Sequence, residues 1–191
     1  LRSLVEPFLV RDHSRGLTAY LDALNAEATA IMRRLLHASP FQQLESAWRS
    51  VRWLLDSVDD DAVKVGLFDV TKQELLDDAA ASAGSFEASA LYRRLVSPPE
   101  QAADDRPWTL LVGNFGFTAE TPDLALLARL GAIGSLVGAP FLAAAEPGFV
   151  GCAGPSSLAD PGTWRIVDPE AEQRLGVLRN SAVARWIGLA L

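Results

Sequence analysis

The sequence predicts an α/β fold in which an N-terminal helical hairpin is packed with a mostly parallel, helix-covered sheet. Three observations predict it. Two successive segments between positions 17 and 58 space their apolar residues by alternating steps of three and four, as one helical face requires. Short, nearly all-apolar runs of strand length follow at 108–112, 141–145 and 186–191. Helix-forming stretches lie between these runs, and strands alternating with helices favour a parallel sheet covered by its own crossovers. The expected division is an extended or flexible lead-in over 1–16, the hairpin over 17–58, and an α/β domain over 59–191 that forms one compact unit with the hairpin. A chain of 191 residues can bury a core of that kind.

The first helix carries Leu17, Leu21, Leu24, Ala28, Ile31 and Leu35 on one stripe. The second carries Phe41, Leu44, Trp48, Val51, Leu55 and Val58, with Ser39 as N-cap, Pro40 at the first helical position and Gln42 closing a capping box. Helices joined by so short a link fold back on each other. After an acidic turn at Asp59, Asp60 and Asp61, the run Val63 to Val70 reads as a strand. Thr71 and Glu74 form a second capping box that opens a short helix. Phe86 to Val96 reads as a helix with Leu91 and Leu95 inward, and Ser97 to Pro107 as a loop. Trp108 to Val112 reads as a strand covered on both faces, followed by a glycine-rich turn, Gly113 to Gly116. Thr121 and Pro122 start a helix through Val137, with Asp123 near its positive end. Gly131, Gly134 and Gly138 weaken that helix unless something packs closely against it. Phe141 to Ala145 is the next strand, Pro147 to Gly162 an irregular connection, Asp168 and Pro169 the start of the last helix, and Trp186 to Leu191 the last strand.

Composition narrows the function. A formal net charge of -7 repels phosphate backbones and anionic lipid headgroups, which argues against nucleic acid and membrane as partners. The uncharged stretch from Leu130 to Ala145 is too short for a bilayer, which needs about 20 residues, and Pro140 interrupts it. One cysteine, Cys152, excludes an internal disulfide and a multi-thiolate zinc site. Cytoplasm is the expected compartment, with no secretory signal at the start. Beginning at Leu1 and ending in an apolar run at Leu191, the sequence reads as an excised fragment.

No catalytic, cofactor-binding or metal-binding residue is expected. The turn Gly113-Asn114-Phe115-Gly116 fits neither phosphate-binding spacing, G-x-G-x-x-G or G-x-x-x-x-G-K-[ST], and Phe115 and Phe117 would obstruct a phosphate. Cys152 would need a base, and the two histidines, His13 and His37, are tied to it by no motif. His37 reads as the cation at a helix C-terminus. Asp59 to Asp61 lack the glycine and glutamate of a calcium loop, and Asp77 and Asp78 have no partner motif. Arg49, Arg52 and Trp53, beside Trp48 on the inward stripe, form the densest cationic and aromatic group. They are a possible interface, with intramolecular packing and snorkelling arginines as the alternative.

Three segments together carry a resemblance. Phe41, Leu44, Glu45, Trp48 and Arg49 stand at the spacing of the F-x-x-L-E-x-x-W-R-G-L element in the large subunit of the type VI secretion contractile sheath. Leu111 to Phe117, Asp123 to Leu127 and Ala139 to Ala145 resemble that family's L-V-G-D-Y-E-F, D-V-x-L-L and A-P-F-I-A-A-A sequence. Leu178 to Ser181 and Arg185 to Leu189 are similar to its F-R-E-S-E-D and R-Y-V-G-L segments. The likeness runs from about Leu17 to Leu191. It departs at Asn114, where the family has Asp, at Ser97 to Pro107, which lacks an acidic glycine-rich loop, and after Asn180, which lacks paired acids.

The resemblance implies a structural protomer, with no catalytic residue and no cofactor, from the N-terminal half of a longer subunit. Its implied partners are a small sheath subunit, further copies of the large subunit, the inner tube protein and the baseplate. A separate ATPase recycles such sheaths. Two other readings stay open: a small-molecule-binding or hydrolytic α/β domain using Gly113 to Gly116 and Cys152, and a sheath-like regulator that does not polymerise.

Overall fold

A computed structural model describes residues 14–58, 62–97, 107–152, 154, 160, 162, 164–166 and 168–191. The chain divides into two compact units, Leu1–Val65 and Gly66–Leu191.

The first unit contains helices α1 (Ser14–Leu36) and α2 (Ser39–Ser57). Helix α1 ends with Arg33 and Arg34 in its last turn, where cations offset the unpaired carbonyls. The expected Ser39 capping box does not form. The Gln42 amide donates to the Ala38 carbonyl at 3.0 Å, so α2 starts one residue early, with Ala38 as N-cap and no side-chain cap. Pro40 still falls in the first turn, where its missing N–H is not needed. Ser39 instead receives a bond from the Gln43 amide at 3.3 Å. Both apolar stripes stay open to solvent: Leu21, Leu24, Ile31 and Leu44 are exposed, and no residue of α2 is buried. Trp48, expected inward, is 63% exposed.

The second unit is the α/β part. Val63 to Val70 forms no strand, because alternation needs a neighbour to take the backbone hydrogen bonds and none of the three strands described pairs with it. Phe68 packs against Trp108 instead, with ring centroids 5.5 Å apart. Helix α3 (Lys72–Ala81) opens with the expected capping box between Thr71 and Glu74. The single helix expected over 86–96 is a 3-10 turn, Phe86–Ala88, and a separate helix α4 (Ala90–Leu95). Ser89 makes the break, accepting the Tyr92 amide at 3.1 Å as the N-cap of α4.

Then follow β1 (Leu111–Phe117), α5 (Thr121–Val137), β2 (Phe141–Ala145), α6 (Pro169–Arg179) and β3 (Ile187–Ala190), with 3-10 turns at Pro147–Val150 and Ala184–Trp186. Asp168 caps α6 by accepting the Glu170 amide. The strands lie in the order β1-β2-β3, all parallel, with Leu111 opposite Phe141 and Phe141 opposite Ile187. Gly113 faces Ala143 while Gly116 faces Ala144, so β1 bulges between them. The segment expected as a turn is therefore inside a strand. A Cβ on Gly113 would stand 2.7 Å from the Phe141 ring, and one on Gly116 would collide with the Glu146 carboxylate.

The core lies on one face of this sheet. Phe117, Leu126, Leu127 and Ile133 are fully buried, and Leu175 of α6 joins them with Phe141 and Ala143. The glycines of α5 have the close packing expected of them: a Cβ on Gly131 would meet Ile187 at 2.8 Å, and one on Gly134 the Ala139 carbonyl at 2.5 Å. Gly138 ends the helix at φ 75, the left-handed conformation a C-terminal cap uses. The other face is open: Val112, expected in a strand covered on both sides, is 59% exposed, and Leu110 and Leu142 are exposed beside it.

Candidate assembly surface

Helix α2 presents the cationic and aromatic group in full. Arg49 reaches back one turn to Glu45, with Nη2 2.7 Å from Oε1, and Arg52 reaches forward to Asp56, with Nε 3.0 Å from Oδ2. Both arginines are exposed, so the pairs add only about 0.3–0.5 kcal/mol each but hold the guanidinium planes along the helix. Trp53, one position after Arg52, is 71% exposed. Leu44 and Trp48 are exposed on the same helix, and aromatic residues and arginine are the types enriched in protein interfaces.

Two polar nodes hold the α/β unit together. Asp123, at the start of α5 and only 4% exposed, accepts from the Thr118 amide at 2.6 Å, the Thr118 hydroxyl at 2.9 Å and Lys72 Nζ at 3.0 Å. Lys72 Nζ also donates to the Gly116 carbonyl at 2.9 Å and lies 5.5 Å from the centre of the Phe117 ring. Burial alone would raise the Asp123 carboxyl. The bonds from Thr118 and Lys72, with the lysine charge, outweigh it and hold the group below its ordinary value. Asp78 on α3 accepts the Ser89 hydroxyl at 2.6 Å and the Ala90 amide at 2.7 Å. Burial opposes its ionised form, but these bonds and the nearby Arg129 keep its carboxyl lowered too. Arg129 bonds Ser82 and sits 4.6 Å above the Phe86 ring. From sequence alone Asp123 is a helix-dipole residue and Asp78 has no assigned role. Lys72 lies 51 positions from Asp123, and Ser89 and Ala90 lie 11 and 12 from Asp78, so no local motif marks these ties.

The remaining candidates come out as follows. Cys152 is half-buried in the second unit, His37 is at the end of α1 in the first, and His13 lies outside the described residues. Asp59, Asp60 and Asp61 also lie outside them. Among the described residues no group of three or more His, Cys, Asp or Glu could hold a metal ion, and no helix is long and apolar enough to cross a membrane. Among the described residues, exposed large apolar side chains lie on α1, on α2 and on the open face of the sheet.

Residues 18–191 match the family described as VipB: EvpB/VC_A0108, tail sheath N-terminal domain. The chain belongs to this family. It is also 28% identical over 183 residues to the type VI secretion system sheath protein TssC1 of Pseudomonas aeruginosa, an alignment that covers 94% of this chain and 37% of that relative. A tail sheath N-terminal domain accounts for both units: the match begins within α1 and includes α2 and all three strands. The family is one of structural sheath proteins, and the chain spans little more than a third of the relative it aligns with.

Proposed function

We propose that this chain is the N-terminal structural part of a large subunit of a bacterial type VI secretion contractile sheath, which surrounds an inner tube and propels it on contraction. The match of residues 18–191 to a tail sheath N-terminal domain carries the reading. A sheath protomer keeps its own fold while its contacts rearrange, because many small contact changes sum over a lattice. An internally pinned α/β unit and helices with open apolar surface suit that task.

The partners we propose are a small sheath subunit, further copies of the large subunit, the inner tube protein and the baseplate, in the cytoplasm. Arg49, Arg52 and Trp53 are the proposed contact group on α2. Its role is structural and not enzymatic.

The test is coexpression of a full-length large subunit containing this chain with a small sheath subunit. Tubular assemblies in electron micrographs are expected, and their consistent absence would refute the reading.

A further inference from the structure

The helices of both connections between strands lie on one face of the sheet. Helix α5 joins β1 to β2 over the face carrying Leu111, Phe141 and Ala143, and the path from β2 to β3 runs through α6, whose Leu175 enters the same core. The topology requires this. The order β1-β2-β3 steps always in one direction, and right-handed crossovers taken in one direction all fall on the same side. No crossover of that series can cover the other side.

That other side is mostly apolar, with Asn114 the exposed polar residue of β1. Leu110, Val112 and Leu142 are exposed on it, and Ala144 and Ala190 add small exposed side chains. Gly188 lets the Leu142 side chain lie flat across β3, where a Cβ would collide with it. Parallel sheets are covered on both faces because their strands are apolar on both. A segment that follows β3 covers the open face by reversing direction: it leaves β3, crosses over Val112 and Leu142, and returns beside β1. The chain fills 37% of the length of TssC1 from Pseudomonas aeruginosa, so relatives have length for such a return.

We propose that in full-length sheath polypeptides of this family the face bearing Leu110, Val112 and Leu142 is covered by an amphipathic helix from the segment that follows β3, which leads to a further parallel strand at the free edge of β1. The occupant is intramolecular. The inference rests on the family match and the topology, and not on the assembly reading.

The test uses Val112→Cys and, separately, Leu142→Cys, each with Cys152→Ser, with Val177→Cys on exposed α6 as the control. A thiol reagent is applied to the 191-residue chain, to the full-length large subunit alone, and to the full-length subunit with a small sheath subunit. Both face cysteines are expected to react freely in the short chain and about tenfold or more slowly in the full-length subunit alone, while the control reacts freely in both. Hydrogen exchange of the β1 amides in the unsubstituted proteins needs no variant and should slow in the same step, as a strand joins that edge. Equal labelling in both lengths overturns the proposal. So does protection already present in the short chain, or protection that appears only when the small subunit is added.

Discussion

Lys72 and Asp123, 51 positions apart, meet at 3.0 Å beneath the end of β1, and the same ammonium group holds the Gly116 carbonyl at the far side of the bulge. One side chain thus joins the start of α3, the end of β1 and the first turn of α5.

Removing either member should cost stability. Asp123→Ala leaves the two Thr118 donors without this acceptor and Lys72 with the Gly116 carbonyl but no counter-charge, and a loss of about 2–4 kcal/mol is expected in denaturant unfolding. Lys72→Met should cost less, since Thr118 still serves the carboxylate and Lys72 is partly exposed.

Acid should weaken the fold through the same group. The Asp123 carboxyl is lowered in the folded state, so its contribution is complete above the unfolded value near 4 and is lost as pH falls through the folded one. Asp78 is lowered as well and acts in the same sense. Melting temperature should therefore fall on acidification below about pH 4, and Asp123→Asn should flatten that fall. A variant whose acid profile matches the parent's would show that Asp123 is not the group responsible.

Two glycines in helices should respond with opposite signs. Gly134→Ala drives a methyl group onto the Ala139 carbonyl and should destabilise by about 1–3 kcal/mol despite better helix propensity. Gly176→Ala in α6 meets nothing within 4 Å and should stabilise by about 0.4–1 kcal/mol. Thermal unfolding of the two variants compares them directly.

Arg52→Glu and Trp53→Ala should leave stability within about 1 kcal/mol, since both side chains are exposed and the charge reversal disturbs only the surface pair with Asp56. Under the proposed function each should reduce sheath assembly with the small subunit, read by sedimentation and electron microscopy. Unchanged assembly would remove this group from the contact.

Helices were legible wherever a local signal sets them. The stripes of α1 and α2, the Thr71–Glu74 box and the Asp168–Pro169 start all lie within a few residues of what they control. The core strands were legible as short apolar runs, but their limits were not. Gly113 and Gly116 looked like a turn, and only Phe141 and Glu146, distant in sequence, show why a strand needs glycine there. Val63 to Val70 alternates as strands do, yet pairing is decided by a neighbour. The surface group on α2 was visible as composition, whereas its exposure depends on what the helices do not cover. The Lys72–Asp123 tie was invisible, because nothing local distinguishes a buried carboxylate from a solvated one.

Gly131 and Gly134 give helix α5 a single seat. Displaced by one turn, it would bring Leu127 and Leu130 to the places where Ile187 and the Ala139 carbonyl now leave no room for a side chain. The helix therefore cannot creep along the strands when pushed. Under the proposed sheath role, such a fixed seat would let the unit move as one body.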